Sequence, residues 1–130
     1  LVILLSLAPA TVRAGEPEHR IVSMLDLLTR PAEFEGKIVA VQGYLPEGMR
    51  LYLTKDHAAI ADSPSSIAVE ALPQLMGCID AYVHVSGLFG LRNDEYGIVK
   101  VLEVSRWADP GSRSMNKPWL STCWKRPDEE

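Results

Sequence analysis

Two stretches decide the fold, Val39-Ala-Val-Gln-Gly-Tyr-Leu45 and Val83-His-Val-Ser-Gly-Leu-Phe89. Both follow the pattern Val-x-Val-x-Gly-x-apolar. Strict alternation is the mark of a strand with one buried face. In the first stretch it sets Val39, Val41, Gly43 and Leu45 on one side and Ala40, Gln42 and Tyr44 on the other. A glycine inside a flat strand only lowers stability. Its recurrence at the same late position therefore predicts strands that coil sharply and let a neighbouring backbone come close.

Working outward, residues 37–45 form the first strand and Pro46-Glu47-Gly48 turns the chain. A second strand is expected over 49–55, with Leu51 and Leu53 inward and Tyr52 and Thr54 outward. Residues 56–65 read as a loop, and Ile67 and Val69 mark a short third strand. The segment 73–78 is long enough for one or two helical turns. Fourth and fifth strands are expected over about 80–90 and 96–107, joined at Asn93-Asp94-Glu95. The fifth breaks its alternation between Val101 and Val104, as a β-bulge would. Upstream, Ser23 followed by Asp26 resembles a capping box opening a short amphipathic helix, which Arg30-Pro31 ends. Five strands, a small helical element between the third and fourth, and two glycine-kinked strands describe a mainly β chain. The expected architecture is a five-stranded OB-like Greek-key barrel with a short N-terminal helix.

The stretch Ser23-Met-Leu-Asp-Leu-Leu-Thr-Arg-Pro-Ala-Glu-Phe-Glu-Gly-Lys-Ile-Val-Ala-Val-Gln-Gly-Tyr-Leu45 resembles the opening of small exported bacterial OB-fold proteins. Those share a leader helix, a Pro-to-aromatic-to-Gly-Lys turn and a Val-x-Val-x-Gly-Tyr-Leu strand. Leu51-Tyr-Leu53 and Tyr82-Val-His-Val-Ser-Gly87 fit as well. The resemblance covers roughly residues 23–107 and leaves the tail, 108–130, outside. It implies the barrel and export. Many such proteins have no assigned activity, so it carries no catalytic residue across.

With 130 residues, 47% of them hydrophobic and 23% charged, the chain suffices for one domain and is too apolar for wholesale disorder. Its first ten residues, Leu1-Val-Ile-Leu-Leu-Ser-Leu-Ala-Pro-Ala10, are uncharged. The run is shorter than the roughly 20 residues a membrane span needs. Val12 and Ala14 suit signal peptidase, so 1–14 is expected to be a signal-peptide remnant cut before Gly15, lacking its first residues. Residues 15–22 would then be a flexible leader, 23–107 the barrel and 108–130 a C-terminal tail. An exported product, periplasmic or secreted, follows, with no transmembrane segment after cleavage. The net charge of −4 and the absence of a basic run beyond Lys125-Arg126 disfavour nucleic acid. Two cysteines in an exported chain predict one disulfide, Cys78–Cys123. It would close a loop of about 45 residues, contribute roughly 3–4 kcal/mol and pin the tail. Trp107, Trp119 and Trp124 accompany that tail, which either folds back over the barrel or meets a partner.

No enzyme signature stands out. His19, His57 and His84 have no helical metal spacing, no Cys-x-x-Cys occurs, and no serine sits on a nucleophile elbow. No metal or cofactor is expected. Asp56, His57 and Asp62 read as a solvated loop; the alternative is a periplasmic hydrolase or weak metal-dependent enzyme. Binding is better supported. Tyr44, Tyr52 and Thr54 should face outward on neighbouring strands, and Tyr82 with His84 extends that surface if the fourth strand adjoins the first. Outward tyrosines either stack on a ligand or pack across strands. The expected function is therefore non-catalytic recognition of a protein, peptide or envelope saccharide. A structural envelope component is the remaining alternative.

Overall fold

The computed structural model describes residues 20–47, 49–107 and 120–127. The signal-peptide expectation for 1–14, His19 and Trp119 lie outside them. The elements are β1 (Arg20–Ile21), α1 (Met24–Thr29), β2 (Ile38–Leu45), β3 (Arg50–Tyr52), α2 (Lys55–Ala59), β4 (Ser66–Val69), β5 (Ala81–Arg92), β6 (Glu95–Trp107) and β7 (Leu120–Lys125). Short 3-10 helices lie at Pro31–Phe34, Ser63–Ser65 and Pro73–Cys78.

The strands β2, β3, β4, β6 and β5 pair in that order, and β5 pairs back onto β2, so a five-stranded barrel closes. All neighbours run antiparallel except β4 and β6. This is the expected OB-like barrel. Its interior holds Val39, Val41 and Leu45 from β2, Leu51 from β3, Ile67 and Val69 from β4, Val83, Val85 and Phe89 from β5, and Ile98, Val101 and Val104 from β6. On β2 and β5 these are the inward positions that period-2 alternation assigns, whereas on β6 register shifts set Ile98, Val101 and Val104 three residues apart.

The glycines sit where strands crowd. A Cβ on Gly43 would stand 2.6 Å from the Tyr52 carbonyl oxygen and 2.7 Å from Leu51 Cγ, so β3 can cross β2 only over a bare Cα. A Cβ on Gly87 would strike the Lys100 carbonyl and lie 2.7 Å from Ile98 Cγ2. The β5–β6 register slips at Ser86/Gly87, which leaves Leu102 as an extra residue between Val101 and Val104, where the bulge was expected. A two-residue turn joins the two strands, with Asn93 at φ 54° and Asp94 at φ 64°. That is the primed geometry of tight hairpins, shorter by one residue than the loop expected there.

The Ser23 hydroxyl accepts the Asp26 N–H at 3.1 Å, which starts α1, and the helix stops at Arg30 before Pro31. Met24, Leu27 and Phe34 from this region join the core. Leu75 and Cys78, from the 3-10 helix between β4 and β5, are fully buried in the same core.

Several expectations are corrected. The second strand is confined to Arg50–Tyr52 rather than 49–55, because Thr54 turns its hydroxyl onto the His57 N–H and caps α2. Residues 56–65 are therefore mostly helical rather than loop. Residues 20–22, expected as the end of a flexible leader, pair in parallel with β2 through Arg20–Ile21, and the Val22 amide bonds the Ala40 carbonyl.

The C-terminal residues described fold back as β7, antiparallel to β6. A register shift leaves Cys123 as an unpaired extra residue, and the expected Cys78–Cys123 disulfide joins it to the 3-10 helix with Cα atoms 5.8 Å apart. Behind it, Glu70 and Arg126 continue the sheet with side chains. Glu70 Oε1 accepts the Val101 N–H at 2.8 Å, and Arg126 Nε donates to the Val101 carbonyl at 2.7 Å. Arg126 and Glu70 also pair with each other. Both backbone groups of Val101, beyond the end of β4, are thereby satisfied.

Candidate functional site

Alternation on β2 and β5 sends Gln42 and Tyr44, and Tyr82 and His84, to the outside of the barrel. Register then aligns them in two rows. Tyr52, Tyr44 and Tyr82 lie side by side across β3, β2 and β5. One step along, Gln42, His84, Ser105 and Thr122 form a row across β2, β5, β6 and β7. Trp107, two residues beyond Ser105 on β6, projects from the same face as Tyr82.

Of the five residues expected to meet a ligand, two remain at the surface. Tyr44 and Tyr52 point outward as expected, yet each is only 8% exposed. The helix α2 folds against β2 and β3 and covers them. Thr54 is spent as the cap of that helix, with Oγ1 2.6 Å from His57 Nδ1. Tyr82 is 38% exposed, and its hydroxyl accepts the Lys55 N–H at 3.0 Å, tying α2 to the row. Its ring meets Tyr44 edge to face, with centroids 5.2 Å apart, the arrangement the aromatic quadrupole favours. His84 is half-buried.

Among the described residues, two polar atoms of this face are buried without a hydrogen-bond partner, His84 Nδ1 and Trp107 Nε1. Such atoms are rare in folded proteins because each costs about 1–3 kcal/mol. Burial holds the His84 imidazole below the usual histidine range, and the Glu103 carboxylate pulls the other way more weakly. Burial thus favours the neutral form of the His84 ring. Glu103 accepts the Thr122 hydroxyl at 3.0 Å, which fixes the far side of the face.

Gln42, Ser105 and Thr122 were not singled out from sequence, and Trp107 was named there only with the C-terminal tail. Alternation alone could have found the first, since Gln42 is two residues from Tyr44. The others depend on pairing between β5, β6 and β7, which no local pattern announces.

The hydrolase alternative needs Asp56, His57 and Asp62 to converge. Asp56 is exposed in the first turn of α2, the His57 ring is held by Thr54, and Asp62 accepts the Ser65 hydroxyl at 2.9 Å. Among the described residues no three His, Cys, Asp or Glu side chains gather closely enough to hold a metal ion. No helix among them is long and apolar enough to cross a membrane. Comparison with protein-family models, with curated proteins and with solved structures finds no match.

Proposed function

We propose that this chain is an exported, non-catalytic binding module, akin to the small bacterial OB-fold proteins it resembles, and that it recognises a neutral envelope saccharide. The recognition surface in this proposal is the outer sheet face around Tyr82 and His84. The observation that carries it is the pairing of an exposed tyrosine with a cross-strand row of uncharged hydrogen-bonding side chains, Gln42, His84, Ser105 and Thr122. An aromatic ring offers an apolar face to the C–H side of a sugar and a polar rim to its hydroxyls. A row of neutral donors and acceptors suits hydroxyl groups better than phosphates, which call for Lys and Arg. Envelope location accords with the disulfide, since such bonds persist in oxidising compartments.

The test is a glycan array probed with the whole chain, followed by titration of any ligand against Tyr82→Ala and Gln42→Ala. Loss of the tyrosine ring is expected to weaken binding about fivefold to tenfold, the worth of roughly 1–1.4 kcal/mol. Unchanged affinity in both variants, or an array without signal, would remove this face.

A further inference from the structure

We propose that the groove between the β2–β3 turn and the 3-10 helix Pro73–Cys78 docks a segment of a partner protein presenting an apolar side chain beside a lysine or arginine. This goes beyond the saccharide face and does not depend on it. The groove encloses about 520 Å³ and is lined chiefly by Glu47, Met49, Leu72, Pro73, Met76 and Ile79. That volume lies in the range of working ligand pockets.

Met49 and Met76 are 60% and 67% exposed, unusual for long apolar side chains. Met76 has no inward alternative. Its helix is fixed by Leu75 and Cys78, both fully buried, and by the disulfide to β7. Leu72 and Ile79 pack against the core, so the groove has a firm wall and two movable thioethers at its mouth. Unbranched, polarisable methionines mould themselves to varied apolar partners, which suits peptide side chains.

Charge selects among occupants. Among the described residues lining the groove, Glu47 is the one that carries a charge. Asp80 is exposed beside Ile79, and its amide bonds the Leu45 carbonyl at 2.6 Å, next to the turn that carries Glu47. A basic side chain on the partner answers these carboxylates. A second copy of this chain, itself at net charge −4, would bring like charge, and a bare acyl chain would leave Glu47 without a counterpart.

The experiment labels methionine methyl groups with ¹³C in the full chain and titrates Ac-Gly-Leu-Lys-Phe-Gly-amide and its Lys-to-Glu counterpart. The Met49 and Met76 methyl signals are expected to shift and saturate with the lysine peptide. The glutamate peptide should bind about threefold more weakly, as an exposed ion pair allows. Glu47→Gln should narrow that ratio, and Met76→Ser should weaken the lysine peptide severalfold. Absence of saturable shifts, or equal affinity for the two peptides, overturns the proposal. So do shifts produced by dodecyl maltoside alone, which assign the groove to an acyl chain. A dimer seen by sedimentation and dissolved by Met76→Lys assigns it to a second copy and overturns it equally.

Discussion

Replacing Gly87 by alanine asks β6 to retreat from β5 at the point where the register of the two strands slips. The added methyl would meet the Lys100 carbonyl oxygen, Ile98 Cγ2 at 2.7 Å and Val101 Cα at 3.0 Å. Two of these three are backbone atoms held in the β5–β6 ladder, so relief requires moving the strand rather than rotating a side chain. Overpacking of this kind costs about 1–3 kcal/mol, and the backbone partners put Gly87 at the upper end, about 3 kcal/mol. Gly90, three residues further along the same strand, is the internal control. A Cβ there finds only Val99 Cγ2, at 3.7 Å, and the position does not need a positive φ. Gly90→Ala should therefore be neutral or stabilising by about 0.5 kcal/mol through the unfolded chain. Urea unfolding followed by tryptophan fluorescence measures both, and a loss of 3 kcal/mol corresponds to a Tm lower by roughly 10–20 °C. If Gly87→Ala lies within about 0.5 kcal/mol of the parent, close strand approach is not what the glycine serves, and the reasoning from Val-x-Val-x-Gly to a closed barrel fails.

Three more outcomes are expected. Glu70→Ala strips the acceptor from the buried Val101 amide and the partner from Arg126, at a cost of about 2–4 kcal/mol. A double-mutant cycle with Arg126→Ala should show coupling, and additive losses would deny the network. Reduction of Cys78–Cys123, or replacement of both by serine, should cost about 3–4 kcal/mol and speed amide exchange in β7 before β5; uniform protection across both strands would contradict this. Because the folded-state pKa of His84 is depressed, the unfolded chain binds the extra proton first. Stability is thus fully present above the ordinary histidine range and falls as pH drops through it. His84→Gln should flatten that part of the pH–stability profile, and an unaltered profile would show that His84 is not the group responsible.

The barrel was legible because its inner wall is built by alternation. Val39, Val41, Val83 and Val85 declare their side by period alone, and the two late glycines declare the coil. The pairing of Cys78 with Cys123 followed from there being two cysteines. What stayed hidden depends on tertiary context. Thr54 was assigned to a strand face because its neighbours alternate, while its hydroxyl in fact caps α2, and that helix takes Tyr44 and Tyr52 away from solvent. Tyr82 and His84 kept their place at the surface for the same reason that they could be assigned, namely strand parity. β1 has two residues, too few for any period to register. Glu70 and Arg126 lie 56 positions apart, and nothing local marks them as one device.

The bond between Cys78 and Cys123 has a mechanical consequence. It encloses the two longest strands, β5 and β6, in a covalent ring of sequence separation 45. Tension applied at the two chain ends would pass from one sulfur to the other and bypass that hairpin altogether. Roughly 150 Å of contour, 45 residues at about 3.4 Å each, would remain unspooled while the rest of the chain was drawn out. The β5–β6 hairpin would thus stay closed upon itself when the strands outside the ring had been pulled straight.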